Sequence, residues 1–367
     1  MASGRHVARA HGLPAVHGPS GRRRWRGGVT HHPVPAKFVT VTDALFADWF
    51  GLEAVRTSLS AAAWTGLLNR HHLTWDAASL ERLGLGTSHL LTVAEEPAHT
   101  GLRAPFAARW SGFRSAPFFA GVADGFAANI GSGVLGAGHC AITIGTSAAL
   151  RTIVTDDTPV VPNGLWALRC RADQTLIGGA LTEGGNLRTW AVEHLRLPAG
   201  NLEAALEDMP ADGHGLTFVP TWNGERSPGY DPAARGSIHG LGFQTQPLDM
   251  LRAAMEGVGY RLADLFQRLE ATLGEQHTIT LSGNALQHSR VWRQMLADIL
   301  GRNVVSLSQP EATARGIAAL ALQALGLLEL RTLPGLRGEI LKPDASRFAA
   351  YQRGLARLKG FLAAGEH

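Results

Sequence analysis

Residues 121–147 read GVADGFAANIGSGVLGAGHCAITIGTS, and this stretch decides how the rest of the chain is interpreted. Asp124 follows the apolar run 118–122 and precedes a segment of small residues, so its carboxylate should lie at a helix N-terminus. There it can cap the helix or accept a proton from a bound hydroxyl group. About twenty residues later, the tripeptide Gly145-Thr146-Ser147 follows a predicted strand. Its backbone N–H groups and two hydroxyls suit a phosphate, although this tripeptide also occurs in plain turns.

Strands and helices alternate after this stretch. Apolar residues recur at spacings of four and three from Leu251 to Leu269, which marks the buried face of a long helix. The alternation predicts an α/β fold with helices packed on a mixed sheet. Strands are predicted over 139–146, 149–154, 165–170, 175–180, 278–282 and 303–306, and helices over 184–196, 247–272, 289–300 and 311–325.

Shorter elements are predicted before the opening stretch. Residues 42–50 read as an amphipathic helix capped by Thr42, and residues 73–85 as a second short helix. The apolar run 118–122 before Asp124 reads as a buried strand.

Two further strand–helix corners and one polar loop are candidate binding elements. Gly185, at the first corner, would let a nucleotide approach closely. The alternative is that it belongs to an ordinary connection between a strand and a helix. The second corner, 281–285, ends a strand where an adenosine could lie. In the loop 224–240, Glu225 and Arg226 are candidates for a buried ion pair at a pocket rim, and a solvated surface loop is the alternative.

Charge and composition exclude several classes of protein. Residues 1–36 hold six arginines and no acid, which leaves 28 basic against 30 acidic residues in the remainder, a net charge of −2. Nucleic acid is therefore not expected as a partner of the folded part. No apolar run reaches the roughly 18 residues that span a membrane. Cys140 and Cys170 form no CxxC motif, which indicates a reducing compartment and predicts a cytoplasmic protein.

The basic segment 1–36 is predicted to be disordered and has three interpretations. It is Arg-rich like a mitochondrial transit peptide, but it has only two serines and no amphipathic pattern. A phosphate-binding arm could use Arg22–Arg26. We favour non-native sequence, such as a wrong start, because the composition changes abruptly near Lys37.

The order of these motifs resembles the FGGY family of carbohydrate kinases, in particular its gluconokinase and xylulokinase branch. The most specific match is GSIHGL at 236–241, followed after seven residues by DMLRAAME at 249–256. Independent support comes from GVADGFAANIGSG, ITIGTSAALR, GGALTEGGNLRTW, GERSP, DPAARG and PEATARG. The resemblance covers about residues 37–330.

The resemblance implies a ribonuclease-H/actin-like ATPase fold of two domains that close on ATP-Mg²⁺ and a sugar, polyol or sugar acid. It divides the chain into the segment 1–36, a remnant of the first domain at 37–117, the nucleotide-binding domain at 118–330 and a partly helical extension at 331–367. Asp124 matches the general base that acts on the acceptor hydroxyl. The implied nucleotide contacts are Gly145, Thr146, Ser147, Gly185, Thr189, Gly283, Asn284 and His288.

The sequence also departs from the family pattern. Residues 1–120 contain no Asp-x-Gly-Thr/Ser phosphate loop, whose acid helps to hold the metal, so no metal ligand is assigned and the chain is expected to be truncated. Asn284 and His288 replace a glycine and an asparagine of the adenosine motif. The leading hypothesis is a sugar or sugar-acid kinase with reduced activity, and a homodimer is one option for its assembly. The alternatives are an inactive pseudokinase or gene fragment, and an actin-like ATPase of another function.

Overall fold

The computed structural model describes residues 37–96, 98–136, 138–155, 159–307 and 311–364. The basic segment 1–36 and its three interpretations lie outside the described residues. Contacts divide the chain into two units, Met1–Ala123 with Leu168–Asp173 and Asp124–Ala167 with Gln174–His367. The division therefore falls directly before Asp124, whereas the sequence placed the boundary after Pro117.

The first unit consists of short helices and two-stranded sheets. Its elements are α1 (Val41–Phe50), β1 (Thr57–Ser58), α2 (Leu59–Trp64), β2 (Leu68–Asn69), β3 (Thr74–Trp75), α3 (Ala77–Arg82), β4 (Val93–Ala94), β5 (Ala98–His99), α4 (Ala104–Arg109) and β6 (Phe118–Phe119). The sheets pair β1 with β4, β2 with β3 and β5 with β6. A small aromatic core forms where the rings of Phe46 and Phe50 lie 5.1 and 5.6 Å from the His99 ring.

The elements predicted for this unit have different bounds in the structure. Helix α1 begins one residue early because Thr40, and not Thr42, caps it by accepting a hydrogen bond from Asp43 N at 3.2 Å. The helix predicted over 73–85 is limited to α3, because β3 pairs with β2 and Asp76 caps the helix that follows. The strand predicted over 118–122 is limited to the two half-buried residues of β6.

The second unit is built on one large mixed sheet. Its elements are α5 (Asp124–Gly131), β7 (His139–Ile144), β8 (Ala148–Val154), β9 (Trp166–Arg169), β10 (Thr175–Leu181), α6 (Gly185–His194), α7 (Leu202–Glu207), β11 (Thr217–Val219), β12 (Ser237–His239), α8 (Pro247–Leu273), β13 (Thr278–Ser282), α9 (Asn284–Gln287), α10 (Arg290–Leu300), β14 (Val304–Leu307), α11 (Ala312–Ala324), β15 (Gly338–Leu341) and α12 (Ala345–Ala364). Seven strands lie in the order β15-β14-β13-β7-β8-β10-β9, of which the last two residues of β9, Leu168 and Arg169, are assigned to the first unit. Strand β11 pairs separately with β12.

The strand directions bring three carboxyl ends to one edge of this sheet. Strand β13 is parallel to β7 and β14, while β8 is antiparallel to both β7 and β10. Strands β7, β10 and β13 therefore run in the same direction and end at the same edge. The mixed sheet with helices between its strands confirms the α/β prediction.

Helix α8 carries much of the hydrophobic core of the second unit. The apolar positions that the sequence assigned to one helix face are all buried: Leu251, Met255, Val258, Leu262, Leu265 and Leu269. None of the described helices has both the length and the apolarity that crossing a membrane requires.

The segment 331–367, predicted as a partly helical extension, belongs to the second unit as far as it is described. Strand β15 adds to the sheet by pairing antiparallel with β14. Helix α12 is tied to α8 by a hydrogen bond of 2.7 Å that Arg252 Nη2 donates to Tyr351 Oη. Both residues are buried, so this segment completes the packing of the unit.

Candidate functional site

One strand–strand turn and two strand–helix corners lie at the carboxyl edge of the sheet. The turn Gly145–Ser147 follows β7, Gly184 joins β10 to α6, and Gly283 joins β13 to α9. Backbone N–H groups at the start of α6 bind the turn: Gly185 N donates to Gly145 O at 2.8 Å, and the next residue donates to Thr146 O at 3.2 Å. These bonds fix the candidate phosphate turn against the helix.

Close backbone approach explains why two of these corners carry glycine. A Cβ atom on Gly185 would lie 2.5 Å from Gly145 O, and one on Gly283 would lie 2.3 Å from Ile144 O. Gly283 also has a φ of 106°, which residues with a side chain rarely adopt. The glycines that the sequence placed at the corners are therefore required by the packing of the corners themselves.

A cleft of about 610 Å³ lies along these corners. It brings together six of the residues predicted to contact a nucleotide: Gly145, Thr146, Gly185, Thr189, Asn284 and His288. Ser147 belongs to the same turn but does not line the cleft, and Gly283 lines a neighbouring cavity. The cleft also contains Arg188, Trp190 and Glu193 of α6, which sequence reasoning did not select.

The turn has the groups that an anion needs. The side chains of Thr146 and Ser147 are exposed, and their hydroxyls make no hydrogen bond within the described part of the chain. Nothing lies within 4 Å of the position that a Cβ on Gly145 would occupy. A phosphate group therefore fits against this turn without displacing a side chain.

Asp124 lines the neighbouring cavity, which has a volume of about 340 Å³. It is the first residue of α5, and its Oδ1 accepts a hydrogen bond from Gly125 N at 2.6 Å. Glu311, directly before α11, lines the same cavity. Because the cap bond uses Oδ1, the other carboxylate oxygen of Asp124 remains available to accept a proton.

Arg151 also lines the Asp124 cavity, and sequence reasoning missed it. It is a charged residue within β8, whose other residues are apolar apart from Thr152. Burial lowers the pKa of the Arg151 guanidinium, the Asp124 charge acts to raise it, and Arg226 acts to lower it. An arginine inside an apolar strand directly after the phosphate turn is the signal that could have identified it.

The ion pair predicted between Glu225 and Arg226 does not form. The Glu225 carboxylate accepts a hydrogen bond from Arg261 Nη2 of α8, and Arg226 is exposed. Glu225 does pair with an arginine, but the partner is the buried Arg261 and not Arg226. The physical reason is a long-range contact, because Arg261 Nη2 also donates a hydrogen bond to Ser227 O of the same loop.

Glu183 is a second acid that sequence reasoning did not select. It is 1% exposed, and its Oε1 accepts hydrogen bonds from Asn223 N at 2.9 Å and Asn223 Nδ2 at 3.2 Å. Its Oε2 has no partner among the described residues, and burial raises the pKa of the carboxyl group. Glu183 thus joins the α6 corner to the loop that contains Glu225.

The described residues do not form a separate metal cage at this edge. The group with metal-ligand geometry that they contain is Asp212, His214 and Glu256, away from both cavities. Arg252 Nε lies 2.7 Å from Glu256, and Arg357 binds Asp212 through two nitrogens. These two guanidinium groups already neutralise the carboxylates, so this group is a buried ion network.

Comparison with known proteins identifies relatives of this chain. The profile of the FGGY family of carbohydrate kinases, C-terminal domain, matches residues 140–325, just over half of the chain. A gluconokinase of Bacillus subtilis is 29% identical over 306 residues, which are 80% of this chain and 59% of that protein. A xylulose kinase of Escherichia coli is 30% identical over 306 residues, 81% of this chain and 62% of that protein.

The fold is also found among solved structures. The crystal structure of gluconate kinase from Lactobacillus acidophilus matches with a TM-score of 0.82 and 26% identity, over 89% of this chain and 67% of that chain. This match confirms the actin-like ATPase fold. The chain spans about 60% of the length of the curated gluconokinase and xylulose kinase relatives.

Proposed function

Because this chain belongs to the FGGY family of carbohydrate kinases, we propose that its second unit forms the nucleotide-binding part of a site that phosphorylates a sugar or sugar-acid hydroxyl from ATP. One observation carries the proposal. Gly283 lines the Asp124 cavity, and the next residue, Asn284, lines the nucleotide cleft. The cavity that contains the candidate base and the cleft that contains the candidate phosphate turn therefore adjoin at the β13–α9 corner.

The proposed roles follow from the two cavities. Asp124 accepts the proton of the acceptor hydroxyl, and the turn Gly145–Ser147 holds phosphate groups of ATP. The other nucleotide contacts are Gly185, Thr189, Gly283, Asn284 and His288. Glu225 and Arg226 belong to the loop on the acceptor side. Mg²⁺ bound to ATP would neutralise phosphate charge during transfer, and the unpaired hydroxyls of the turn fit the nucleotide that carries it.

The acceptor that we propose for this chain is a gluconate-like sugar acid. Its relatives include gluconokinases, xylulose kinases, glycerol kinases and an apulose kinase, and the solved structure compared above is a gluconate kinase. The cationic side chain of Arg151 beside Asp124 supports an acid over a neutral sugar.

A non-catalytic binding protein is the second candidate. One observation favours it: the 367 residues contain no Asp-x-Gly-Thr/Ser motif. Phosphoryl transfer depends on metal and on positioned donors, so a chain without that loop would keep binding but lose most of the rate.

Two measurements on the full chain test the proposal and separate the candidates. Calorimetric titration with ATP-Mg²⁺ should show saturable binding, and no detectable binding would contradict both candidates that use the cleft. A coupled assay with ATP and D-gluconate, D-xylulose or glycerol then reports transfer. Asp124→Asn should abolish turnover and leave ATP affinity unchanged, whereas Asp208→Asn, at an exposed carboxylate, should leave both unchanged. Full activity of Asp124→Asn would remove Asp124 from its role.

The proposed setting is the cytoplasm. Cys140 and Cys170 are both buried and are not joined in a disulfide, and burial raises the pKa of the Cys140 thiol, which makes it unreactive. A homodimer stays a proposal that sedimentation of the purified chain would decide.

A further inference from the structure

We propose that Arg151 binds the carboxylate of a sugar-acid substrate and thereby selects an acid over a neutral polyol. The inference rests on the proposed function, since it places the acceptor in the Asp124 cavity. It goes further in naming the residue that recognises the acid group. Four properties of the cavity support it.

The first property is the position of the Arg151 side chain. Arg151 leaves β8 toward the start of α5, where a Cβ on Gly125 would lie 3.0 Å from Arg151 Nε and 3.2 Å from its Cδ. Any larger residue at position 125 would crowd the guanidinium. The residue after the candidate base is therefore a glycine that leaves room for this arginine beside Asp124.

The second property is the missing partner. Arg151 Nε is shut off from solvent and has no hydrogen-bond partner among the described residues. A guanidinium group has five N–H donors in a planar fork that matches a carboxylate with two parallel hydrogen bonds. A buried donor without a partner costs free energy, which a bound anion would recover.

The third property is the local charge. Arg226 lies close enough for its charge to act on Arg151, and Asp124 is the acid that acts in the opposite direction. Arg226 is exposed, and its side chain makes no ion pair within the described part of the chain. Among the described residues that line the cavity, Arg151 is the one cation, beside the acids Asp124 and Glu311, so a carboxylate bound there has Arg151 as its cationic partner.

The fourth property separates the acceptor from the donor. The phosphate turn, with the exposed Thr146 and Ser147 hydroxyls, lies on the nucleotide cleft, and Thr146 lines it. Arg151 lines the other cavity together with Asp124. In this arrangement the turn Gly145–Ser147 binds the phosphate groups of ATP. Arg151 is not needed for them and can bind an acid group of the acceptor.

Binding measurements on the full chain test this inference without requiring turnover. D-gluconate and xylitol are acyclic polyols of similar size, and only the first carries a carboxylate. Arg151→Met should weaken gluconate binding about 10- to 100-fold, the usual effect of losing a charge-assisted pair of hydrogen bonds, and leave xylitol binding unchanged. Arg353→Met, at an arginine of α12 bonded only to Ala349 O, is the control and should change neither affinity.

Further measurements on the Arg151 variants show whether Arg151 binds the acceptor or the phosphoryl group, and whether its role is only structural. If Arg151→Met weakens binding of the ATP analogue AMP-PNP and not of gluconate, Arg151 serves the phosphoryl group and the inference is wrong. A purely structural arginine would lower the melting temperature when replaced, whereas removal of an unpaired buried charge should leave it unchanged or raise it. Arg151→Lys should restore part of the gluconate affinity. If Arg151→Met binds both ATP and gluconate as the wild type does, this inference is wrong, and the proposed function is unaffected.

Discussion

Gly131 of α5 and Gly316 of α11 face each other at a helix crossing that has no room for a side chain. A Cβ on Gly316 would lie 1.8 Å from Ala127 O, and a Cβ on Gly131 would lie 1.8 Å from Ala312 O. The two helices therefore touch backbone to backbone. Because Asp124 begins α5 and Glu311 precedes α11, the crossing determines how both acids reach the same cavity.

Gly316→Ala should destabilise the protein because the new methyl group overlaps a backbone carbonyl that no side-chain rotation can move. Overpacking of this kind costs about 1–3 kcal/mol. Separation of the helices should also displace Asp124 and weaken ligands of its cavity. Urea unfolding measures the first effect, and gluconate titration measures the second.

A glycine of α12 provides the matched control. Gly360 also lies within a helix, but nothing lies within 4 Å of the position of its missing Cβ. Gly360→Ala should therefore stabilise the protein by up to about 1 kcal/mol through the higher helix propensity of alanine. Equal free energies of unfolding for Gly316→Ala and the wild type would contradict the close backbone contact between α5 and α11.

Glu183→Gln should change the pH dependence of stability. Burial raises the pKa of Glu183 above its ordinary value of 4.5, so the folded state holds this proton to a higher pH than the unfolded state does. The contribution of the protonated Glu183 carboxyl group to the stability of the folded state is complete below pH 4.5. It is lost as the pH rises through the folded-state pKa. The unfolding free energy of Glu183→Gln relative to wild type should therefore increase between pH 4.5 and pH 8. Urea titrations at both pH values measure it, and a difference that does not change with pH would show that Glu183 is not perturbed.

Much of the second unit could be predicted from the sequence because its elements are long and periodic. The face of α8 from Leu251 to Leu269 and the strands that end in glycine corners have strong local signals. In the first unit, the elements are two to ten residues long, and local patterns are ambiguous. The helix predicted over 73–85 included residues 74–75, which instead form strand β3 and pair with residues 68–69 of β2. This pairing depends on contacts between strands, which helical periodicity in the sequence does not show.

Backbone geometry explains the residue type at two of the predicted positions. Gly185, predicted as a point of close nucleotide approach, and Gly283, implied by the family resemblance, both lie where a Cβ would overlap a carbonyl oxygen. The partners of charged residues were not found, since Glu225 bonds to Arg261, which lies 36 residues further along the chain. Arg151 was missed for the same reason, because only the tertiary fold brings it to Asp124.

Glu256→Gln should be among the most destabilising polar substitutions. Glu256 is fully buried and lies 3.0 Å from His214 Nε2 and 2.7 Å from Arg252 Nε. Replacing it leaves Arg252 as a buried charge without its carboxylate, and loss of one partner of such a pair costs about 3–5 kcal/mol. Urea unfolding at pH 7 measures the loss. Glu329→Gln, at an exposed pair with Arg331, should change the free energy of unfolding far less in the same assay.

The same substitution has a pH signature. Burial alone would raise the pKa of Glu256, but the hydrogen bond and charge of His214, together with Arg252, hold it below the ordinary value of 4.5. A lowered pKa stabilises the folded state above pH 4.5, and this contribution disappears as the pH falls through the folded-state pKa. The difference in the free energy of unfolding between wild type and Glu256→Gln should therefore become smaller as the pH is lowered. A difference that becomes larger would contradict the ion network.

Asn284→Gly should strengthen nucleotide binding. The family resemblance implies a glycine of the adenosine motif at the position of Asn284, and Asn284 lines the cleft of about 610 Å³. If the side chain obstructs the nucleoside, its removal should lower the dissociation constant of ATP-Mg²⁺, and a gain of about 1 kcal/mol corresponds to roughly a fivefold change. Gln287→Gly, on the same short helix but lining the Asp124 cavity, controls for the loss of helix propensity and should leave ATP affinity unchanged. Weaker binding by Asn284→Gly alone would show instead that Asn284 contacts the nucleotide, and that the cleft is adapted to this side chain.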